Sequence, residues 1–296
     1  MTRVVEIPVR FDHDTFDQFA RAFGTPEDER LLFDAHATKW GSPYGLIGLL
    51  AIGQWLLERQ QAKPLLTIPN DREVAHYWAR TGFFRHADDL FELHGKVPYV
   101  GTTGSSDVLL EVTPVRGADD VHSVVDRIQD RAAAILRELG LEPQATMGFA
   151  MALSEACQNI VEHAGTGGWV AVQAYHWRRR LGRRVAVIAV ADAGVGFRTS
   201  LAPTQAQRLG DRWSDATALE AALFQGVSRF RDPGRGQGLT GMRRYVGRWE
   251  GKLSLRSGTA RLSIVPTWDD DVPMAEGLPP FPGSQVQLII PAQQSN

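Results

Sequence analysis

The 296-residue chain has a single cysteine, Cys157, so no intrachain disulfide can form and no Cys/His cluster at zinc spacing exists; His36 likewise has no second ligand at metal spacing. Charge bias is absent too: 32 Lys plus Arg against 34 Asp plus Glu leave a net charge of -2, which gives no global electrostatic argument for a nucleic-acid partner. The longest apolar stretch, Tyr44 to Leu57, is interrupted by Gln54 and is shorter than the ~20 residues needed to span a bilayer. The opening MTRVVEIPVR has no apolar segment of the kind a secretory signal requires. These absences point to a cytoplasmic protein without a membrane anchor. No repeat of solenoid period is visible and no catalytic triad is supported. What remains is ordinary globular composition, 43% apolar and 22% charged, with length for one large or two ordinary domains.

Residues 1–97 alternate strand-like and helix-like segments: Val4–Val9, Thr15–Phe23, Leu31–His36, a helix from Tyr44, Leu65–Pro69, and Arg72–Arg80. That order predicts an α/β layer. Breaker residues then cluster in Gly95-Lys-Val-Pro and Gly101-Thr-Thr-Gly-Ser-Ser106, which places a linker at 98–106 and a second domain at 107–292. The second domain opens with the apolar run Val108–Val115 and a helix capped at its C-terminus by Gly140. A helix over Ala145–Ala164 and a hairpin of Trp169–Trp177 with Val185–Val190 follow. Leu253–Arg256, Ala260–Val265 and Val286–Ile290 are strand-like. The expected class is α+β, one sheet with helices on one face.

Three segments carry chemistry. In Leu153-Ser-Glu-Ala-Cys-Gln-Asn-Ile-Val-Glu-His-Ala164, the residues Glu155, Asn159, Glu162 and His163 share one polar helix stripe, with Leu153, Ala156 and Ile160 left for the sheet. A carboxylate and a carboxamide so placed suit a metal-bound polyphosphate: Asn159 offers an oxygen to Mg²⁺, Glu155 accepts a proton, and His163 orients Glu155 or a phosphate. Second, a buried-looking strand ends in Asp192-x-Gly194-x-Gly196, where a carboxylate can accept from an exocyclic amine and glycines let backbone approach a ligand. Third, Gly234-Arg-Gly-Gln-Gly-Leu-Thr-Gly-Met242 would set backbone N–H groups and a helix N-terminus against phosphate. Its Gly236-x-Gly238-x-x-Gly241 is not a dinucleotide fingerprint, because no strand precedes it and no acid lies ~20 residues on. Taken singly, these segments also fit a solvated helix face, a tight turn and a flexible loop. The arginines at 178–180, 183 and 184 crowd one hairpin tip, a solvated turn, and Trp177, Trp213 and Trp249 read as packing residues.

Together and in this order, the three segments resemble the GHKL (Bergerat-fold) ATPases, over about residues 105–292. Ser154-Glu-Ala-Cys-Gln-Asn-Ile-Val-Glu-His-Ala looks like the N box of the anti-sigma-factor serine kinases, and Asp192-Ala-Gly-Val-Gly like the adenine-binding box. Gly234-Arg-Gly-Gln-Gly-Leu is similar to the phosphate box, departing from Gly-x-Gly-Leu-Gly-Leu at Gln237. Gly283-Ser-Gln-Val-Gln-Leu-Ile-Ile-Pro291 resembles the closing strand, in which Ser284 would assist Asp192 through a water. The resemblance implies a Bergerat sandwich with one mixed sheet, ATP and Mg²⁺ as cofactors, and Glu155 as the catalytic base. It implies nucleotide contacts from Asn159, His163, Asp192, Gly194, Gly196, Gly234, Gly236, Gly238, Leu239 and Ser284, and an ATP lid over Arg198–Pro233.

Leu32-Phe-Asp-Ala-His-Ala-Thr-Lys-Trp-Gly-Ser-Pro-Tyr-Gly-Leu-Ile-Gly-Leu-Leu50 looks like a STAS domain, the fold of anti-sigma-factor antagonists. In that family a Ser or Thr directly before the helix-opening Gly-Leu accepts phosphate; here Tyr44 holds that place and Ser42 stands two residues upstream, which favours a domain used for binding. The implied function is transfer of the ATP γ-phosphate to a protein partner, a STAS-type antagonist, sigma factor or other regulator, with self-association as a homodimer also open. The alternative is a nucleotide-gated interaction module with little or no catalysis. A gyrase- or chaperone-like mechanical ATPase would need long transducing domains.

Overall fold

The computed structural model describes residues 2–24, 29–60, 62–100, 109–116, 166–178, 180–227 and 237–292, with scattered positions between 126 and 157. The first unit runs β1 (Thr2–Glu6), β2 (Arg10–Phe11), α1 (His13–Phe23), β3 (Arg30–Asp34), β4 (Trp40–Gly41), α2 (Pro43–Gln60), β5 (Leu65–Thr67), α3 (Arg72–Arg80), α4 (Phe83–Leu90) and β6 (Glu92–His94). Strands β1, β3, β5 and β6 form a parallel sheet in that order, the α/β layer expected from the alternating segments.

The second unit contains β7 (Leu109–Val115), β8 (Gly168–Trp177), β9 (Arg183–Asp192), α5 (Gly196–Leu209), α6 (Asp215–Phe224), α7 (Gln237–Arg248), β10 (Lys252–Gly258), β11 (Ala260–Ile264), β12 (Met274–Ala275) and β13 (Phe281–Pro291). Residues 153, 154, 156 and 157 are helical, and Gly140 closes a helical turn through its N–H to the Arg137 carbonyl at 2.9 Å. The seven strands run β12-β11-β10-β13-β9-β8-β7. All of their described pairings are antiparallel, so the expected mixed sheet is corrected to an antiparallel one. Hairpins and long returns join these strands, and only a crossover of about a dozen residues or more would make neighbours parallel.

Alternation along the strands assigns the two faces. Val170, Val172, Ile188, Val190, Leu255 and Leu288 enter one apolar cluster with Leu201, Leu219, Leu223, Met242 and Val246 of α5, α6 and α7, and with Leu153, Ala156 and Cys157. The apolar side read for the 145–164 helix therefore does meet the sheet at Leu153 and Ala156. Burial pushes the Cys157 thiol up to about 12, so this side chain acts as a small hydrophobe.

The opposite face is also covered, which revises the expectation of helices on one side only. Trp169, Ala171, Ala189, Ala191 and Phe281 share a second cluster with Ile47, Leu50 and Ile52 of α2 and with Leu31, Phe33 and Leu66 of the parallel sheet. α2 is apolar around its whole circumference because strands of both units contribute to its surroundings. A Cβ at Gly48 would lie 2.3 Å from the Gln285 side chain and 2.6 Å from the Phe16 ring, so glycine is what lets the helix settle this closely. The long apolar stretch in the sequence is thus a shared core helix.

Candidate functional site

Asp192 ends β9, paired across the ladder with Ser284 of β13 on one side and Gly168 of β8 on the other. Its side chain stays inside the fold, with the residue only 5% exposed. The Gly194 N–H donates to Asp192 Oδ1 at 2.8 Å, and the Ser284 hydroxyl donates to Oδ2. Burial pushes the Asp192 carboxyl up to about 6, against the lowering effect of the bonds from Ser284 and Gly194. A carboxylate offers about four acceptor positions, so the two oxygens retain capacity for an external N–H donor. Such a group, buried and oriented yet unspent, suits recognition of an amino-heterocycle.

The backbone around it is built for close approach. Gly283 has φ +74°, and a Cβ there would lie 2.2 Å from the Asp192 carbonyl oxygen and 2.4 Å from its Oδ1. Gly196 opens α5 at φ +72°, where a Cβ would meet Ser257 Oγ at 2.6 Å. Ser257 ties these pieces together, donating to the Gly283 carbonyl at 2.8 Å and accepting from the Phe197 N–H at 3.1 Å. Asp215 accepts from the Thr259 N–H and hydroxyl at 2.9 and 2.8 Å, fastening the start of α6 to the β10–β11 turn.

The structure therefore gathers Asp192, Gly194, Gly196 and Ser284 into one cluster, in which the Ser284 hydroxyl bonds Asp192 directly. Gly238 lies in the first turn of α7, which begins at Gln237 within the glycine-rich stretch rather than after it. Leu239 packs into the apolar cluster beneath the helices. Glu155, Asn159, His163, Gly234 and Gly236 lie outside the described residues. Among the described residues no group of three or more His, Cys, Asp or Glu could hold a metal ion. Ser257 and Gly283 were not among the candidates; the glycine stands beside Ser284 in the closing-strand motif, while nothing in the local sequence marks Ser257.

Other candidates resolve as structure. The segment assigned to a lid is, through Phe224, two helices whose Leu201, Ala218, Leu219 and Leu223 are buried in the core. At the hairpin tip, Arg180 pairs with Asp269 at 2.7 Å and Arg183 with Glu250 at 3.0 Å. Trp213 is buried and Trp249 stacks on Tyr245. Tyr44 is 1% exposed, and burial holds its hydroxyl well above the usual phenol range. Ser42, 6% exposed, accepts from the Gly45 N–H at 3.3 Å.

Residues 119–249 match the family model for the histidine kinase-like ATPase domain. The match spans positions 155 and 159, the strand ending at Asp192, and α5 to α7, and it stops before β13 and Ser284. No curated protein matches the chain.

Proposed function

We propose that this chain, which carries a histidine kinase-like ATPase domain, is an ATP-binding regulatory protein that transfers the γ-phosphate to a hydroxyl on a protein partner, in the manner of the anti-sigma-factor serine kinases. The observation that carries the reading is the buried carboxylate of Asp192, a residue of the matched segment, held by Gly194 and Ser284. In this proposal Asp192 accepts from the adenine amine while Gly194, Gly196, Gly234, Gly236 and Gly238 let backbone approach the nucleotide. Asn159 holds Mg²⁺ on the phosphates, His163 orients them, and Glu155 takes the proton from the attacking hydroxyl. The first unit, 1–97, is proposed as a STAS-like binding module joined by 98–106 to the ATP-binding unit at 107–292; its parallel strands with intervening helices support this. Because Tyr44 and Ser42 are buried, the acceptor is assigned to another protein.

Glu155→Gln in the full chain separates chemistry from binding. It should leave ATP affinity within severalfold while lowering turnover by roughly 10²–10⁴-fold. Asp192→Asn should weaken ATP binding by about 1–3 kcal/mol, measured by calorimetry. Mass spectrometry of proteins captured with and without ATP identifies the acceptor; no phosphate transfer to any captured protein removes the kinase reading.

A second reading, an ATP-gated interaction module, is favoured by one contact. Next to Ser284, Gln285 is fully buried on the other side of the sheet and donates from Nε2 to the Tyr44 carbonyl in α2 at 3.3 Å. The adenine-side strand and the first turn of α2 are thus bonded one residue apart. If ATP changes hydrogen-exchange protection of α2 without any phosphate transfer, gating is the function.

A further inference from the structure

We propose that the seam between the first unit and the second face of the seven-stranded sheet is a binding site for a flat, uncharged heteroaromatic compound whose edge carries a hydrogen-bond donor beside an acceptor. A cavity of about 390 Å³ opens there, large enough for a small-molecule ligand. It belongs to the face opposite the helices α5 to α7, so it is separate from the Asp192 cluster.

Its lining decides the class of ligand. Trp40, Tyr175 and Trp177 supply aromatic walls and Val187 and Ile289 an apolar floor, surfaces on which a flat ring gains area and stacking. The cations along the wall are already neutralised: Arg10 by Asp12 at 3.0 Å, Arg180 by Asp269 at 2.7 Å, and Lys252 by Asp269 at 3.0 Å. An anionic ligand would have to break these pairs, whereas a neutral one leaves them intact, and the Asp14 carboxylate in the same wall is engaged by the His13 ring at 3.5 Å. Two lining residues have a buried polar atom without a hydrogen-bond partner among the described residues: His13, whose Nε2 faces Asp271 at 3.8 Å, and Gln287. Gln287 lines the cavity, is 3% exposed, and its carboxamide oxygen finds no hydrogen-bond partner among the described residues. The terminal torsion of glutamine is soft, so a small rotation presents both C=O and NH₂ to a guest. A carboxamide pairs best with a lactam or amino-heterocycle edge, one donor and one acceptor side by side. Nothing in this reading depends on the nucleotide proposal.

Quinolin-2(1H)-one, a flat bicyclic lactam, is the probe, with 1-methylquinolin-2-one as the same ring lacking the donor. By saturation-transfer NMR on the full chain, the lactam should bind with a dissociation constant of about 0.1–1 mM, as expected for a fragment of its size. The N-methyl compound should bind at least about fivefold weaker, and Gln287→Leu should abolish that preference while thermal melting confirms the fold. In the wild-type protein, independently of any variant, the lactam should shift the indole N–H signals of Trp40 and Trp177 and leave that of Trp213 in place. No saturation transfer at about 2 mM lactam, equal binding of the two compounds to the wild type, displacement by ATP, or retention of the preference in folded Gln287→Leu would each overturn the proposal.

Discussion

Both faces of the seven-stranded sheet are covered, but at β10 and β13 they are held by different forces. Toward α5, α6 and α7 the strands present Val, Ile and Leu, and the layer is held by packing. Toward the first unit, β10 and β13 present Lys252, Ser254, Arg256, Gln285 and Gln287, each 3% exposed or less. On this side an alternating chain of ion pairs runs from the hairpin tip to α1: Arg180–Asp269–Lys252–Asp271–Arg261–Asp17–Arg256, with successive N–O distances of 2.7, 3.0, 2.9, 2.8, 2.6 and 2.9 Å. Arg256 also donates to the Pro279 carbonyl at 2.8 Å and lies over the rings of Phe16 and Phe281. The lesson is that polar residues on a strand need not mean water. They also occur where another layer supplies compensating charge, and such a face becomes dependent on every partner being present.

That dependence can be broken most severely at Asp17. Asp17→Ala leaves Arg256 buried without its carboxylate and should cost about 3–5 kcal/mol in urea unfolding. The pair Asp17→Leu with Arg256→Met, which removes both charges, should recover most of the loss. If Asp17→Ala costs less than about 1 kcal/mol, the polar face is not held by this chain. On the apolar face, Leu255→Ala removes a fully buried side chain and should cost about 3 kcal/mol through the cavity it leaves. Hydrogen exchange in α1 should rise in Asp17→Ala and stay unchanged in Leu255→Ala, which is the sharper form of the contrast.

Gly283 of β13 borders the Asp192 cluster, and Gly283→Ala sets a Cβ against Asp192 at a backbone conformation that L-residues rarely adopt. A loss of about 2 kcal/mol in stability is expected, together with roughly tenfold weaker ADP binding by calorimetry. Alanine tolerated with unchanged affinity would separate Gly283 from the site.

The last test is a pH dependence. Because the Asp192 carboxyl titrates near pH 6 in the fold rather than near 4, the folded state holds this proton more tightly than the unfolded chain. Its contribution to stability is full below the unfolded value, falls as pH rises from about 4 to about 6, and is flat above. Asp192→Asn should remove that slope from stability-versus-pH curves. In the wild type, ADP affinity should also fall severalfold between about pH 7.5 and 5, as the acceptor oxygen protonates, beyond any fall measured in Asp192→Asn.

Much of the molecule was legible in the chain. The alternating segments of residues 1–97 gave strands and helices in their observed order, because period-2 and period-3.6 burial are local properties. Asp192-x-Gly-x-Gly marked a strand end from which a carboxylate and a close turn project, since Asp and Gly have few other uses after a buried run. Three things required the tertiary structure. Lys252-Leu-Ser-Leu-Arg256 reads as a half-solvated strand, and Asp269 and Asp271 at Lys252, with Asp17 at Arg256 some 240 residues away, turn its polar side into an interior one. Ser257 joins the Asp192 cluster solely because β10 and β13 lie side by side, a pairing that no local pattern encodes. The apolar girth of α2 announces burial on every side, but which elements surround it is decided by strands of both units closing on one helix. Local sequence determines which residues must leave water; the partner that receives them is a long-range choice, made by the packing of the whole chain.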